Sequence, residues 1–501
     1  MPTRRILLVN PPLINGIAFT RQGRCQEREE VLGTTKPPYS LVVAAGLLRA
    51  RGVEVRLADL TATAQPTEAL IERLRAEGFT PDLIVFPSTT PTLKADAAQM
   101  ARLKAAFGAP LVSFGPHAST VPAESMAYAP AVDAMIVGEP EDAIVALGDG
   151  DRPDFAAVPS LTWRDGARVV PHTARGSFAG FGAMAPPAWD LVDLANYRLP
   201  MVNEPYLIVE TSRGCPYSCD FCVAPIHQGH KFRERSAAAL ADEIAWARRT
   251  FGVRYFYLWA DTVTLNQKTF SAICEEIIAR DLDIAWFGNA RADNLTDPAF
   301  VHRLKRSGCW MLAMGIESAS PEIRKDMVKR LEEQKVRTAF QNLRDAGVKS
   351  FAFFILGYPG DTVESMAATA DYAIALDPDF ANFYPAVPYP GTALYEKAKS
   401  QGLLAHDDWT RMEYSYYLLE GNGLNGPVVM QAINRARRRF FMRPRYLTRH
   451  FRDGMRLLTS KPAIVGSLVS RMLLGQRVAD ATPDGLPSPS GQAVALGRGR
   501  V

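Results

Sequence analysis

Cysteine is scarce in this chain, at six residues in 501, and the six form no even, paired framework. That excludes a disulfide-stapled secreted domain and predicts a reducing, cytoplasmic setting. Long apolar runs are also missing. No stretch approaches the roughly 18 residues that mark a bilayer span. The opening segment, Arg4 to Pro12, has an apolar run of about four residues and reads as a first buried strand, not a leader. Charge of one sign is lacking too, since 57 Lys/Arg against 53 Asp/Glu leave +4. The arginines come without a recognition module, so specific nucleic-acid binding is not expected. None of the seven histidines has Asp two places before it and Gly three places after it.

What is present is ordinary globular material, 47% hydrophobic and 22% charged, long enough for about three domains. Residues 1–147 alternate short β-branched runs with helical periods. Strands are expected at Ile6–Val9, Val53–Leu57, Leu83–Phe86, Pro110–Phe114 and Ala134–Val137. That pattern predicts a Rossmann-like, doubly wound parallel sheet covered on both faces. Ligands of such sheets bind at the strands' carboxyl ends, here Asn10-Pro-Pro, Pro87-Ser-Thr-Thr, Gly115-Pro-His117-Ala-Ser and Gly138-Glu139-Pro-Glu. Residues 148–200 are broken by prolines and read as a linker, with a hairpin around Asp165-Gly166. Trp163 and Trp189 are expected to pin that linker to the next domain.

Residues 201–425 alternate again through six strand–helix units, a partial (β/α)6 TIM-like barrel whose chemistry belongs at the strands' carboxyl ends. Pro321–Ala346 reads as one helical stretch. Residues 426–478 form a basic helical region. From Arg435 to Arg477 there are twelve Lys/Arg and one acid, Asp453, about +11 against about −7 for the rest. A basic amphipathic helix suits an anionic membrane surface or covers the barrel with its apolar face. Residues 479–501, rich in Pro and Gly, have a disordered composition.

Half of the cysteines fall within eight positions, Cys215-Pro-Tyr-Ser-Cys219-Asp-Phe-Cys222. Thiolates are soft ligands for Fe–S clusters or zinc. A closed structural site wants four protein ligands, and this run supplies three. An iron without a protein ligand is free to bind a small molecule. A zinc site completed by His227 or His230 is the other reading of the same residues. Polar or glycine-containing exits follow the later strands, namely Asp261, Arg291, Gly315-Ile-Glu317-Ser318, Gly357-Tyr-Pro-Gly360 and Pro388-Tyr-Pro-Gly391. Carboxylates and a guanidinium at such exits suit a zwitterionic ligand. The basic stretch Lys231-Phe-Arg233-Glu-Arg235 either screens a cluster, holds an anionic substrate group, or is a solvated rim. Cys25 sits in a long loop after the first strand, beside the expected ligand face, and reads as a free thiol or a cofactor neighbour. Cys274 and Cys309 read as buried small hydrophobes.

CxxxCxxC with an aromatic before its last cysteine resembles the signature of the radical S-adenosylmethionine (SAM) superfamily. The first domain resembles the cobalamin-binding domain that precedes many of its barrels. Together the likenesses cover roughly residues 1–450. They imply a 4Fe–4S cluster on Cys215, Cys219 and Cys222, with SAM on the fourth iron and Phe221 near the adenine. They imply SAM contacts at Asp261, Arg291, Glu317, Ser318 and Gly357. They imply cobalamin against Gly115, His117, Gly138 and Glu139, without a histidine ligand from a DxHxxG motif. The implied activity begins with an electron from a small reductant protein such as flavodoxin or ferredoxin. SAM is then cleaved to a 5′-deoxyadenosyl radical, and methylcobalamin methylates an unactivated carbon of a small or lipid-like substrate. Radical cyclisation or oxidation, as in relatives of anaerobic magnesium-protoporphyrin ester cyclase, uses the same residues. A non-catalytic Fe–S protein is the reading from another class. A methylthiotransferase is disfavoured, because only Cys25 precedes Cys215.

Overall fold

The computed structural model describes residues 4–21, 26, 28, 35–149, 152–199, 202–451 and 454–455. The first domain is built on strands β1 (Arg5–Asn10), β2 (Glu54–Asp59), β3 (Leu83–Pro87), β4 (Leu111–Phe114) and β5 (Ala134–Ile136). All are parallel, in the order β2-β1-β3-β4-β5. The two-residue side-chain period divides the core. Leu7 and Val9 pack on helices Thr67–Ala76, Leu93–Phe107 and Pro122–Tyr128, while Ile6 and Leu8 pack on Tyr39–Arg49 and Glu141–Gly148. Both faces are therefore covered, as the unbroken apolar strands require. Strand order reverses between β1 and β3, which places the ligand crevice at their carboxyl ends.

The segment expected to be a linker extends this sheet. Strands β6 (Leu161–Asp165) and β7 (Arg168–Val170) form the expected hairpin and add antiparallel to β5. Trp163 is corrected accordingly. Its strand pairs with Ala134–Ile136, so its ring packs on the first domain's core, 6.3 Å from Phe155. Trp189 does join the barrel's core cluster, 6.0 Å from Tyr39. The helix Tyr39–Arg49 presents Tyr39, Val42, Val43 and Leu47 to the same cluster, so one hydrophobic core runs between the domains.

The second domain begins with β8 (Tyr206–Glu210) and a ribbon of two short antiparallel strands, β9 (Ser212–Arg213) and β10 (Arg233–Glu234). Five more strands follow, β11 (Tyr255–Trp259), β12 (Ala285–Ala290), β13 (Cys309–Glu317), β14 (Lys349–Leu356) and β15 (Phe380–Pro385). They form a parallel sheet in the order β15-β14-β13-β12-β11-β8, an open six-stranded barrel. The helix expected over 321–346 breaks in two, Pro321–Asp326 and Glu333–Asp345. Between them Val328 and Arg330 take positive φ, 55° and 47°. That turn is costly for a β-branched residue, and it brings Lys329 to Glu317.

Beyond the barrel, helix Gly426–Phe441 lays Val429, Met430, Ile433, Ala436 and Phe440 into the barrel core. Its polar side spends arginines on barrel groups. Arg437 donates to the Phe383 carbonyl (3.0 Å), and Arg439 pairs with Asp371. This part of the basic region covers the barrel. The amphipathic stretch 457–474 and the tail 479–501 lie outside the described residues. Among the described residues no helix is long and apolar enough to cross a membrane.

Candidate active site

The three cysteines lie on the loop that the β9–β10 ribbon closes at its base. All three thiols are part-exposed and unbridged. The loop is pinned by its backbone. Cys215 N–H donates to the Gly229 carbonyl (3.2 Å), Cys222 to Cys219 (3.1 Å) and Asp220 to Met327 (3.2 Å), while Leu394 N–H donates to the Asp220 carbonyl (2.9 Å). Gly214 is required at the bend. Its φ is +81°, and a Cβ would lie 2.2 Å from the Lys231 carbonyl oxygen. The Asp220 carboxylate accepts the Tyr358 hydroxyl, so the Gly357-Tyr-Pro-Gly turn anchors the cysteine loop. Burial raises the Asp220 carboxyl above its usual range, against that hydrogen bond. Ala224 N–H points at Cys222 Sγ (3.5 Å).

The two histidines of the zinc alternative are placed differently. His230 Nδ1 lies 3.2 Å from the Cys215 carbonyl, and His227 is buried beside Glu139, Glu141 and Arg213. Three soft donors on one fixed loop fit an iron–sulfur cluster that keeps one iron open.

The strand exits gather the other candidates. Arg291 chelates Asp293 through Nε (3.0 Å) and Nη2 (2.9 Å), donates to the Lys329 carbonyl (3.2 Å) and stacks 3.8 Å from the Tyr217 ring centre. It is thereby aimed at the cysteine loop. Glu317 adopts φ 70° and pairs with Lys329 Nζ at 2.8 Å. Gly315 makes room for that pair, since a Cβ there would sit 2.1 Å from Glu317 Oε1. Ser318 is buried, and its hydroxyl accepts Ser320 N–H at 3.1 Å, so its side chain serves the turn. The Gly357 carbonyl accepts the Tyr417 hydroxyl (2.7 Å), and a Cβ there would meet Tyr417 and Val429. Its smallness is thus used against the C-terminal segment. Phe221 packs with Tyr358, Leu394 and Met327 on the rim. Asp261 stands directly after β11.

In the first domain, Gly115 (φ +140°) is demanded by the Ser88 carbonyl, 2.0 Å from where a Cβ would be, and Gly138 by the Gly176 backbone. His117 is buried, with Nδ1 3.1 Å from Thr90 Oγ1 and its ring 4.3 Å from that of Trp409. Burial pushes it down to about 3, so it is neutral. Its Nε2, Ser88 Oγ, Ser113 Oγ and Thr20 Oγ1 are buried with no hydrogen-bond partner among the described residues. Unpaired buried polar atoms are rare, and those on Ser88, Ser113 and His117 mark the ends of β3 and β4. They fit a polar ligand inserted at the sheet's carboxyl face. Cys25 lies outside the described residues.

Glu139 is not open to such a ligand. Its carboxylate takes the Phe178 N–H (2.5 Å), Arg233 and Arg213 (3.4 Å). The basic stretch is corrected with it. Arg233 is spent on Glu139, and Arg235 is buried against Glu243 (2.5 Å) and the Glu210 carbonyl (3.2 Å). Neither is a solvated rim. Sequence reasoning also missed Tyr217, Tyr358, Lys329, Glu141, Glu210 and Arg213. Tyr217, Tyr358 and Glu141 lie inside motifs that the sequence does show, and Arg213 lies two places before Cys215.

This is the arrangement of a two-cofactor enzyme, with a ligand-binding parallel sheet joined to a cluster-bearing barrel. Comparison with known proteins agrees. The Radical SAM superfamily profile matches residues 209–373, and the B12 binding domain profile matches 30–148. An uncharacterized methyltransferase of Pyrococcus horikoshii is 28% identical over 453 residues, 89% of this chain and 94% of its own length. The anaerobic magnesium-protoporphyrin IX monomethyl ester cyclase of Cereibacter sphaeroides is 25% identical over 88% of this chain and 70% of its own. Among solved structures, the radical SAM methyltransferase TsrM of Kitasatospora setae superposes with TM-score 0.65 at 19% identity, covering 85% of this chain and 79% of that one. The chain carries a radical SAM domain and a B12 binding domain, and the cofactors that this pair implies are a 4Fe–4S cluster, SAM and cobalamin.

Proposed function

We propose that the enzyme methylates an unactivated carbon of a small-molecule substrate. The observation that carries this reading is that the carboxyl-end loops of both sheets meet, with Glu139 and Glu141 of the first domain bonded to Arg213 beside the cysteine loop. A methyl donor held by the first sheet would thereby be brought towards a radical source held by the second. When bound, the cluster and SAM supply hydrogen abstraction, and cobalamin supplies the methyl group. Cys215, Cys219 and Cys222 hold the cluster. Arg291, steered by Asp293 and Tyr217, offers its charge to the SAM carboxylate. Asp261 and the Glu317–Lys329 pair, at the strand exits, would hold the rest of SAM. His117, Ser88 and Ser113 receive the polar portion of the corrinoid, with Gly115 and Gly138 allowing close backbone approach. The barrel and its helical cover keep water and oxygen from the radical.

The likeness to the ester cyclase favours a second reading, radical cyclisation or oxidation with the same cofactors. Anaerobic incubation with SAM and a chemical reductant separates the two. Formation of S-adenosylhomocysteine and a methylcobalamin spectrum beside 5′-deoxyadenosine supports methylation. 5′-Deoxyadenosine with neither supports the other chemistry, and no SAM cleavage rejects both. Electrons come from a reductant protein. Helix Gly426–Phe441 packs on the barrel, while Met442, Leu447, Phe451 and Met455 beyond it are exposed.

A further inference from the structure

One guanidinium joins the two domains. Arg213 grips Glu141 fork-to-fork, Nη1 to Oε2 at 3.0 Å and Nη2 to Oε1 at 2.7 Å. Its Nη2 also donates to Glu210 Oε2 at 2.8 Å, and Glu139 Oε2 lies 3.4 Å from Nη1. The cation lies 5.4 Å and 5.0 Å from the ring centres of Phe178 and Phe181. Every ionic member is buried, and Arg233 binds Glu139 from the other strand of the ribbon. Glu139 and Glu141 follow β5 in the first domain, whereas Glu210, Arg213 and Arg233 belong to the barrel.

Beside the clasp lies a cavity of about 20 Å³, lined by Tyr39, Glu141, Glu210, Arg213, His227 and Trp259. Tyr39 Oη and His227 Nδ1 are buried with no hydrogen-bond partner among the described residues. The space suits a single water.

Stability alone accounts poorly for this arrangement. Buried ion clusters are costly to desolvate, and apolar contacts of the same shape are often as stable. A bidentate guanidinium contributes something an apolar contact does not, a single permitted geometry. Its two ends are short spans of backbone from Cys215 and from the loop that ends β5. We infer that Arg213 is a positioning residue that fixes the separation between the corrinoid and the cluster by locking the β5 loop to the base of the cysteine loop. The inference rests on the two-cofactor reading.

Magnetic coupling between cob(II)alamin and the reduced cluster reports that separation and needs no substrate. Protein loaded anaerobically with iron, sulfide and cobalamin is compared as wild type, Arg213→Lys and Arg213→Gln. Arg213→Gln is expected to retain both cofactors while the cluster-induced relaxation of the cob(II)alamin signal falls several-fold, and Arg213→Lys to restore part of it. Coupling equal to wild type in Arg213→Gln overturns the inference, even if its melting temperature drops. Should Arg213→Gln fail to hold both cofactors, Glu141→Gln, which changes one atom facing the fork, is judged by the same criterion. A wild type that takes up a cluster and no corrinoid instead overturns the two-cofactor reading, and the inference with it.

Discussion

The Arg291 guanidinium lies 3.8 Å from the centre of the Tyr217 ring. The exit of the third barrel strand is thus held against the middle of the cysteine loop, with Arg291 already oriented by Asp293. Replacing Tyr217 by Ala removes the stacking face and leaves the ion pair. The expected loss is about 1–2 kcal/mol of orientation, or roughly 5- to 30-fold in SAM affinity, with Tyr217→Phe close to wild type. SAM titration of the anaerobic, cluster-loaded protein checks it, and unchanged affinity in Tyr217→Ala would sink the role given to Arg291.

Tyr358 is fully buried and gives its hydroxyl to Asp220, between the second and third cysteines. Tyr358→Phe keeps the ring and leaves a buried carboxyl without that donor. Stability is expected to fall by about 1–3 kcal/mol, and iron per chain to fall with it. Urea unfolding and iron analysis test this. Wild-type values in both would mean that the hydroxyl does not anchor the loop.

Lys329 and Glu317 are a buried pair at 2.8 Å. Lys329→Met strands the carboxylate and is expected to cost about 3–5 kcal/mol, whereas removing both charges costs less. A double-mutant cycle on unfolding free energy decides it. Additive losses in Lys329→Met and Glu317→Gln would show that the two are not coupled.

Glu210 makes the interface sensitive to pH. Burial, with Glu141 and Glu139 nearby, pushes its carboxyl up from 4.5 to about 7 despite Arg213. A carboxyl raised in the folded state binds its proton more tightly there than in the unfolded chain. Its contribution is complete below the unfolded value and is lost as pH climbs from 4.5 towards 7. Glu139 runs the other way. Burial raises it, but the Arg233 hydrogen bond and the Arg213 charge leave it below its usual value, so its share is lost on acidification. Glu210→Gln should therefore flatten the fall in stability between about pH 5 and 7. An identical pH profile of unfolding in variant and wild type would exclude Glu210 as the titrating group.

The chemistry-bearing motif and both layer architectures were legible in the sequence for a simple reason. Thiol spacing and two-residue apolar runs are local properties. The hairpin at Asp165-Gly166 was legible too, but not the sheet it joins, because its partner strand lies some 30 residues earlier and pairing across such a gap leaves no local trace. Glu139 was read as a cofactor contact, and Arg233 as a cation for the cluster, for an anionic substrate group or for a solvated rim, for the same reason. Each is explained by the other, 94 residues away. The break at Val328 defied helical periodicity because Lys329 reaches Glu317 across the barrel mouth. Gly115 and Gly138 were singled out as cofactor contacts. Contact with the cofactor remains the proposed role, while their immediate need is backbone passing within van der Waals distance.

The β9–β10 ribbon is only two residues long on each side, yet it ties off everything from Gly214 to Phe232. Closing that loop by backbone pairing lessens the chain entropy that a metal centre has to remove.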